Sequence, residues 1–348
     1  LVFMALTFQF GLFRQKPEVA ALASEYGRYV ALSAVPQMLY VALRQFADGL
    51  SHTRVTMIIT LGGTVLDIFL NWVFIHGKFG VPAMGLNGAG ITTVISRTIM
   101  AVGLAWWIGR GRVFQPYRLP PTAQPLAPLV RRLFRLGLPG GLQLFFEVAA
   151  FSSATVLAGW LGTVQQAAHS IALNMASVTY MVASGISSAG AIRVGQAVGL
   201  ESRIGVRRAG ATATLMAAIF MGGACLLFLV SRPLAHLYTS QADLIAVTAS
   251  LVVIAGFFQL SDGLQVTGLG ILRGIADVNV PTYITLLAYW GIGLPSGYLM
   301  AFLFKMDVQG IWYGLSLGLT VSAVLLLLRF HRITNRASFV FKHAAFSH

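Results

Sequence analysis

Polarity along this chain alternates on a long period. Apolar runs of about 20 residues, the length that crosses a bilayer, occupy 28–47, 55–76, 83–108, 136–160, 165–192, 209–230, 244–272, 281–304 and 308–328. Residues 1–13 (LVFMALTFQFGLF) read as the end of a further run. The pattern predicts nine complete membrane helices and one partial helix. The gaps are short and punctuated by glycine, proline and charge, as in GRGRVFQPYRLPPTAQP at 109–125. Nothing shows the alternating strands of an outer-membrane barrel. The fold class expected is an all-α polytopic membrane protein.

Composition sharpens this. Only 10% of the 348 residues are charged and 57% are hydrophobic, whereas a soluble domain carries about 25% charge. The net charge of +14 would suggest nucleic acid in a soluble chain. Here the basic residues sit between apolar runs, as topogenic charges do, where they can also touch anionic lipid. Arg44 and Arg54 are followed two helices later by Arg110, Arg112, Arg118, Arg131, Arg132 and Arg135. Then come Arg193, Arg203, Arg207 and Arg208, then Arg273, then Arg329, Arg332, Arg336 and Lys342. Every second connection is basic, which places those connections and the C-terminus in the cytoplasm. The single cysteine, Cys225, excludes an intrachain disulfide.

A repeat sets the domain organisation. LRQFAD at 43–48 returns as LRGIAD at 272–277, and IITL at 58–61 returns as YITL at 283–286. The copies lie an even number of helices apart and so share one orientation, a parallel repeat of the kind found in transporters. The expected layout is an incomplete N-lobe over 1–108, a cytoplasmic inter-lobe loop over 109–130, a C-lobe over 131–334 and a basic cytoplasmic tail over 335–348. By the same logic roughly 100 residues and two helices precede Leu1, giving roughly twelve helices in two pseudo-symmetric lobes of six.

Three of the acidic residues lie deep in apolar runs: Asp67, Glu147 and Asp262. A carboxylate at mid-span costs about 3 kcal/mol on insertion scales, so each is expected to face a polar interior. Gln143 precedes Glu147 by one turn and Gln259 precedes Asp262 by three residues, so each acid shares a face with an amide. The run between them adds Asn174, Ser177 and Thr179. Such oxygen-rich groups suit Na⁺, or a proton held on a carboxylate; separate hydrogen-bonded structural acids are the alternative. Asp67 and Asn71 form a second cluster, with Thr92, Thr93 and a mid-span Arg97 on the next run. A buried charge needs a partner, so one reading pairs Asp67 with Arg97, structurally or as part of an N-lobe site; the other has Arg97 snorkel to the interface.

Pro36, Pro139 and Pro295 fall inside spans and are hinge candidates. The GxxxG pairs at 137/141, 270/274, 293/297 and 314/318 read as close-packing seams. His169 reads as an interfacial or packing histidine rather than a proton relay. Enzymatic motifs are missing: there is no Walker A run, HExxH or GxSxG. GISS at 185–188 lacks the histidine an intramembrane serine protease needs. A non-enzyme driven by an ion gradient, without a cofactor, is the expectation.

LRQFADGLSHTRVTMII, DIFLNWVFIHGKFGVPAMGLNGAG, RLGLPGGLQLFFEVAAF, AAHSIALN, FFQLSDGLQV and LRGIAD, in that order, resemble the multidrug and toxic compound extrusion (MATE) transporters of the NorM type. The resemblance runs from residue 1 to about 334. It implies two lobes around a central cleft, and antiport in which Na⁺ or H⁺ entry drives export of cationic, amphipathic drugs by alternating access. It also implies that Glu147 and Asp262 form part of a cation site, binding Na⁺ directly if sodium is the coupling ion. Family members carry a further N-lobe site around an aspartate on the first helix, which has no counterpart here, and Asp67 stands where asparagine is common. The expected partners are small cationic drugs and the bilayer, with the protein a monomer and no nucleic acid involved. A flippase for a lipid-linked precursor is the alternative activity. It would want a strongly cationic cavity, whereas the deep charges are three acids and Arg97. A membrane scaffold would need no isolated acids at mid-depth.

Overall fold

A computed structural model describes residues 17–117 and 126–335. The expected partial helix at 1–13 and the tail after 335 lie outside the described residues. Among the described residues the chain is helical throughout, without strands: α1 Pro17–Gly49, α2 Thr53–His76, α3 Gly85–Arg110, a 3₁₀ turn Arg112–Tyr117, α4 Leu126–Leu161, α5 Thr163–Gly199, α6 Arg203–Phe228, the short α7 Ser231–His236, α8 Ala242–Gly274, α9 Asn279–Leu303 and α10 Asp307–Asn335. Eight of these, α2 to α6 and α8 to α10, are long and apolar enough to cross a membrane. The protein is an all-α polytopic membrane protein.

Two of the sequence expectations change here. The stretch 28–47 lies within α1, but α1 is not among the eight apolar spans, because Arg28 and Arg44 together with Ser33, Gln37 and Gln45 keep it less apolar than the others. The 109–130 connection is not all loop: it holds the end of α3, the 3₁₀ turn and the first residues of α4. Hydropathy reads only the lipid-matched part of a helix, and α4 begins ten residues before the run at 136, among basic residues that water can solvate.

The chain forms two compact units, Leu1–Ala123 and Gln124–His348. In the first, α1 and α2 each pack along α3. Its core is small, built from Tyr40, Ala101 and Leu104 with Met100 and Trp107 against them. The Tyr40 hydroxyl meets Thr60 Oγ1 at 2.5 Å, tying α1 to α2. LRQFAD ends α1. Its Arg44 pairs with Asp48 one turn on (3.4 Å), and Asp48 also accepts from Thr56 Oγ1 (2.6 Å) across the turn into α2. Gly77 ends α2 in the left-handed region (φ 67°), returning its N–H to Val73 O, a conformation glycine adopts without steric cost.

In the second unit α8 is the hub, packed by α5, α6 and α10. Just over half of its apolar window is buried (56%), against 11% for α2. That is why its sequence is apolar nearly all round. The core joins Phe258 and Leu251 of α8 to Trp312, Leu315 and Leu319 of α10 and to a ladder of alanines, Ala150, Ala154 and Ala158, on α4. LRGIAD ends α8, but Asp277 takes Arg329 of α10 in a two-point contact (2.5 and 3.1 Å).

α9 is not a regular α-helix. Leu287–Gly293 and Leu299–Leu303 are π-helical, on either side of a short α segment containing Pro295. The proline removes an amide donor, and widened turns of this kind accommodate the break. The glycines of this helix run against those of α10. A Cβ on Gly314 would overlap the backbone of Gly297, and one on Gly318 would sit 2.6 Å from Ala288 O. The 293/297, 314/318 and 270/274 pairs are therefore close-approach seams, Gly270 meeting Ser187 and Gly274 meeting Val194. The 137/141 pair is not, since a Cβ at either glycine would enter open space.

Candidate functional site

The second unit brings Glu147 and Asp262 together. Glu147, on α4, is 7% exposed and Asp262, on α8, is 4% exposed. The charge of Glu147 is felt at Asp262. Gln143 and Gln259 lie buried beside them at 3% and 0% exposure. Thr179 of α5 donates to Gln259 Oε1, which fixes the amide and leaves Gln259 Nε2 without a protein partner. An orphaned donor at full burial calls for water or another acceptor in the site.

Three further side chains belong to this cluster and were not picked out from the sequence. Tyr180, the residue after Thr179, hydrogen-bonds with Glu147. Tyr289, in the first π segment of α9, is fully buried within range of both acids, and its hydroxyl has no partner among the described residues. Arg273 of LRGIAD donates to Gln143 Oε1 (3.1 Å), and its positive charge acts on Glu147. A tyrosine inside an apolar span reads equally well as packing, and Arg273 read as topogenic. Only the repeat pointed to Arg273, by singling out the motif that contains it.

Asn174 does not join them. It is exposed and accepts from the Tyr238 hydroxyl at 2.9 Å. Five residues separate it from Thr179, about 140° around a helix, so the two cannot present to one neighbour. Ser177 likewise turns back onto its own helix, donating to Leu173 O.

The first unit holds a separate polar cluster, and the expected Asp67–Arg97 pair does not form. Asp67 accepts from Ser96 Oγ (2.9 Å) and from Asn71 Nδ2 (3.0 Å), and Asn71 Oδ1 accepts from Thr92 (2.9 Å). Arg97 turns instead to Ser33 Oγ of α1 (2.7 Å). Neutral hydroxyl and amide donors meet the carboxylate, so no guanidinium is needed to satisfy its oxygens.

His169 is fully buried rather than interfacial. Its Nε2 meets Thr155 Oγ1 (3.1 Å) and its ring sits edge-on to Trp312 (5.7 Å between centroids). Among the hinge candidates, Pro36 lies within α1, the Pro139 carbonyl accepts from Thr282 Oγ1 (3.1 Å), and Pro295 sits between the π segments. Among the described residues no group of three histidine, cysteine or acidic side chains is placed to hold a metal ion. The acid pair therefore offers two carboxylates, two amides and two phenols: an oxygen-rich buried set with one guanidinium close by.

Comparison with known proteins decides what kind of protein carries this pair. The MatE family model matches residues 1–73 and 139–299. The chain belongs to the MatE family. One relative, the probable multidrug resistance protein NorM of Mesorhizobium japonicum, is 38% identical over 328 residues, which are 91% of this chain and 70% of that protein. The multidrug resistance protein MdtK of Pectobacterium atrosepticum is 36% identical over 90% of this chain and 70% of its own length. Among solved MatE folds, the eukaryotic MATE transporter AtDTX14 superposes with a TM-score of 0.85 at 22% identity, covering 94% of this chain and 73% of that one. A MATE family transporter in an outward-facing conformation gives 0.84 at 19% identity, covering 96% and 74%. The MatE membership agrees with the resemblance read from the motifs around Glu147, Asp262 and LRGIAD.

Proposed function

We propose that this MatE protein exports cationic, amphipathic drugs by cation-coupled antiport through alternating access, with Glu147 and Asp262 taking up the coupling Na⁺ or H⁺. The observation that carries the reading is the buried acid pair. Two mutually repelling carboxylates held out of water are costly unless a cation or proton joins them. Tyr180, Tyr289, Gln143 and Gln259 supply the neutral oxygens around them. Arg273 offsets part of the charge when the cation leaves, which lowers the cost of the empty pair without removing its demand for a cation or proton. The coupling follows from this. An ion that binds one conformation better than the other shifts their populations by its differential affinity and no more. The bacterial relatives named for multidrug resistance support both the cargo and an inner-membrane location. The basic alternate connections support a cytoplasmic C-terminus.

The test uses the full-length protein in liposomes, with a cationic fluorescent dye as cargo and the Na⁺ and pH gradients clamped separately. One of the two gradients drives uptake against the dye gradient. Glu147→Gln and Asp262→Asn each reduce that driven transport, while dye binding in the absence of a gradient persists. Undiminished gradient-driven transport in both variants refutes the assignment. Drive by neither gradient refutes antiport itself.

A further inference from the structure

A groove of about 950 Å³, sharing no residue with the acid-pair cluster, runs between α6 and α10 of the second unit. This lies at the upper end of the range for sites that hold small organic ligands, about 300–1,000 Å³. Its two ends differ chemically. One is lined by Arg207, Arg208 and His331, the other by Leu215, Ala218, Val324 and Leu328. From Arg207 to Ala218 the groove follows α6 for about 16 Å, close to half of the ~30 Å hydrocarbon core of a bilayer.

The groove is built into the packing. Gly210 forms part of its floor because the Phe330 ring closes on its bare backbone, where a Cβ would overlap the ring. Arg203 Nε donates to Thr334 O (2.7 Å), fastening the first turn of α6 to the last turn of α10 behind the basic end. Asn335 Nδ2 meets His331 Nε2 at 2.6 Å and holds the imidazole in place. Arg207 and Arg208 are exposed and have neither an ion pair nor a hydrogen bond among the described residues. Asp277, which meets the last turns of α10 two residues from His331, is occupied by Arg329. The apolar walls are open too, with Leu215 60% and Val324 50% exposed.

We propose that this groove binds one anionic phospholipid, its phosphate between Arg207, Arg208 and His331 and an acyl chain along Leu215, Ala218, Val324 and Leu328. Guanidinium groups match phosphate oxygens in geometry and charge, and an apolar trough one leaflet long fits an acyl chain and not a free anion. The other occupants lack the complementary charge. Residues 336–348 contain no acid to meet the arginines. A second copy docking through the same patch would present only these basic and apolar residues, since none lining the groove is acidic.

The full-length protein is purified from membranes supplemented with equal amounts of phosphatidylglycerol and phosphatidylcholine, and retained lipid is counted by native mass spectrometry. One phosphatidylglycerol per chain is expected, in preference to phosphatidylcholine. Removing both arginines in R207Q/R208Q is expected to lower its retention about thirtyfold, at roughly tenfold or less per charge. Ala211→Trp fills the trough from an exposed position and is expected to expel the lipid while leaving the melting temperature of the lipid-free protein unchanged. Equal retention of phosphatidylcholine overturns the proposal, as does full retention in R207Q/R208Q. Competition by inorganic phosphate as effective as by intact lipid reassigns the site to a free anion. A dimer mass lost on Ala211→Trp reassigns it to a second copy, and lipid bound only after removal of 336–348 reassigns it to the tail. Each of these three results also overturns the lipid assignment.

Discussion

LRQFAD and LRGIAD begin as near-copies and end with opposite wiring. In the first unit the motif closes on itself: Arg44 pairs with Asp48 a turn away, and Thr56 completes the aspartate's shell. In the second the same two positions are separated. Asp277 is drawn off by Arg329, which frees Arg273 to reach Gln143 and, through its charge, Glu147. The difference teaches that a repeated motif keeps its helix-ending role while its arginine is redeployed. Each lobe uses it to meet local need, and only in the second unit is that need an acid pair.

The sharpest way to break this comparison is to attack the packing that lets the second unit hold its arrangement. Gly314→Leu forces a side chain into the Gly297 backbone, and overpacking of this sort costs about 3 kcal/mol. It should abolish monodisperse protein in size-exclusion chromatography, whereas Gly62→Leu, where a Cβ meets open space, should not. Next in size is the functional asymmetry of the acids. Asp262→Asn should lower gradient-driven transport within the 5–150-fold range typical of coupling energies, about tenfold or more. Asp67→Asn, whose carboxylate is met by neutral donors that asparagine can partly satisfy, should change it by about twofold or less. Equal losses in the two variants would erase the distinction between units.

Smaller effects test the wiring itself. Asp277→Asn breaks a two-point pair at side chains 17% and 30% exposed, worth about 1–2 kcal/mol after screening, read as a fall in melting temperature of the full-length protein. Thr56→Val removes one buried hydrogen bond to Asp48, about 1 kcal/mol. Arg44→Ala removes a pair whose arginine is half exposed and should cost about 0.5 kcal/mol or less. If Arg44→Ala proved as damaging as Asp277→Asn, the two copies would be doing the same job.

Much of the fold was legible because lipid imposes a coarse rule. A span must be apolar and long, and α2, α3, α5, α6, α8 and α10 follow that rule closely. Its failures are physical as well. α4 extends beyond its apolar part because basic residues continue a helix into water at no cost that hydropathy registers. The π segments of α9 were invisible because an extra residue in a uniformly apolar stretch leaves no periodic trace, although Pro295 marked the neighbourhood. Glu147 and Asp262 were legible as isolated charges in apolar runs, and their amides by helical spacing. Asn174 was misplaced because spacing within a helix does not say which face meets which neighbour. The Asp67–Arg97 expectation failed because reasoning from charges alone overlooks Ser96 and Ser33, hydroxyls that solvate each charge separately.

The π turns of α9 have a consequence for phase. Each widened turn takes up about one residue more than an α turn and so rotates everything beyond it by about 100° relative to a regular helix. Tyr289, Pro295 and Tyr298 therefore do not lie where a single helical wheel would put them. The α9 backbone can turn Tyr289 inward to the carboxylates, keep Gly293 and Gly297 against α10, and present Trp290 to the Phe146 carbonyl of α4 (3.1 Å). One continuous α-helix has a single azimuth for all of these demands. α9 divides the work among segments, each set to its own angle.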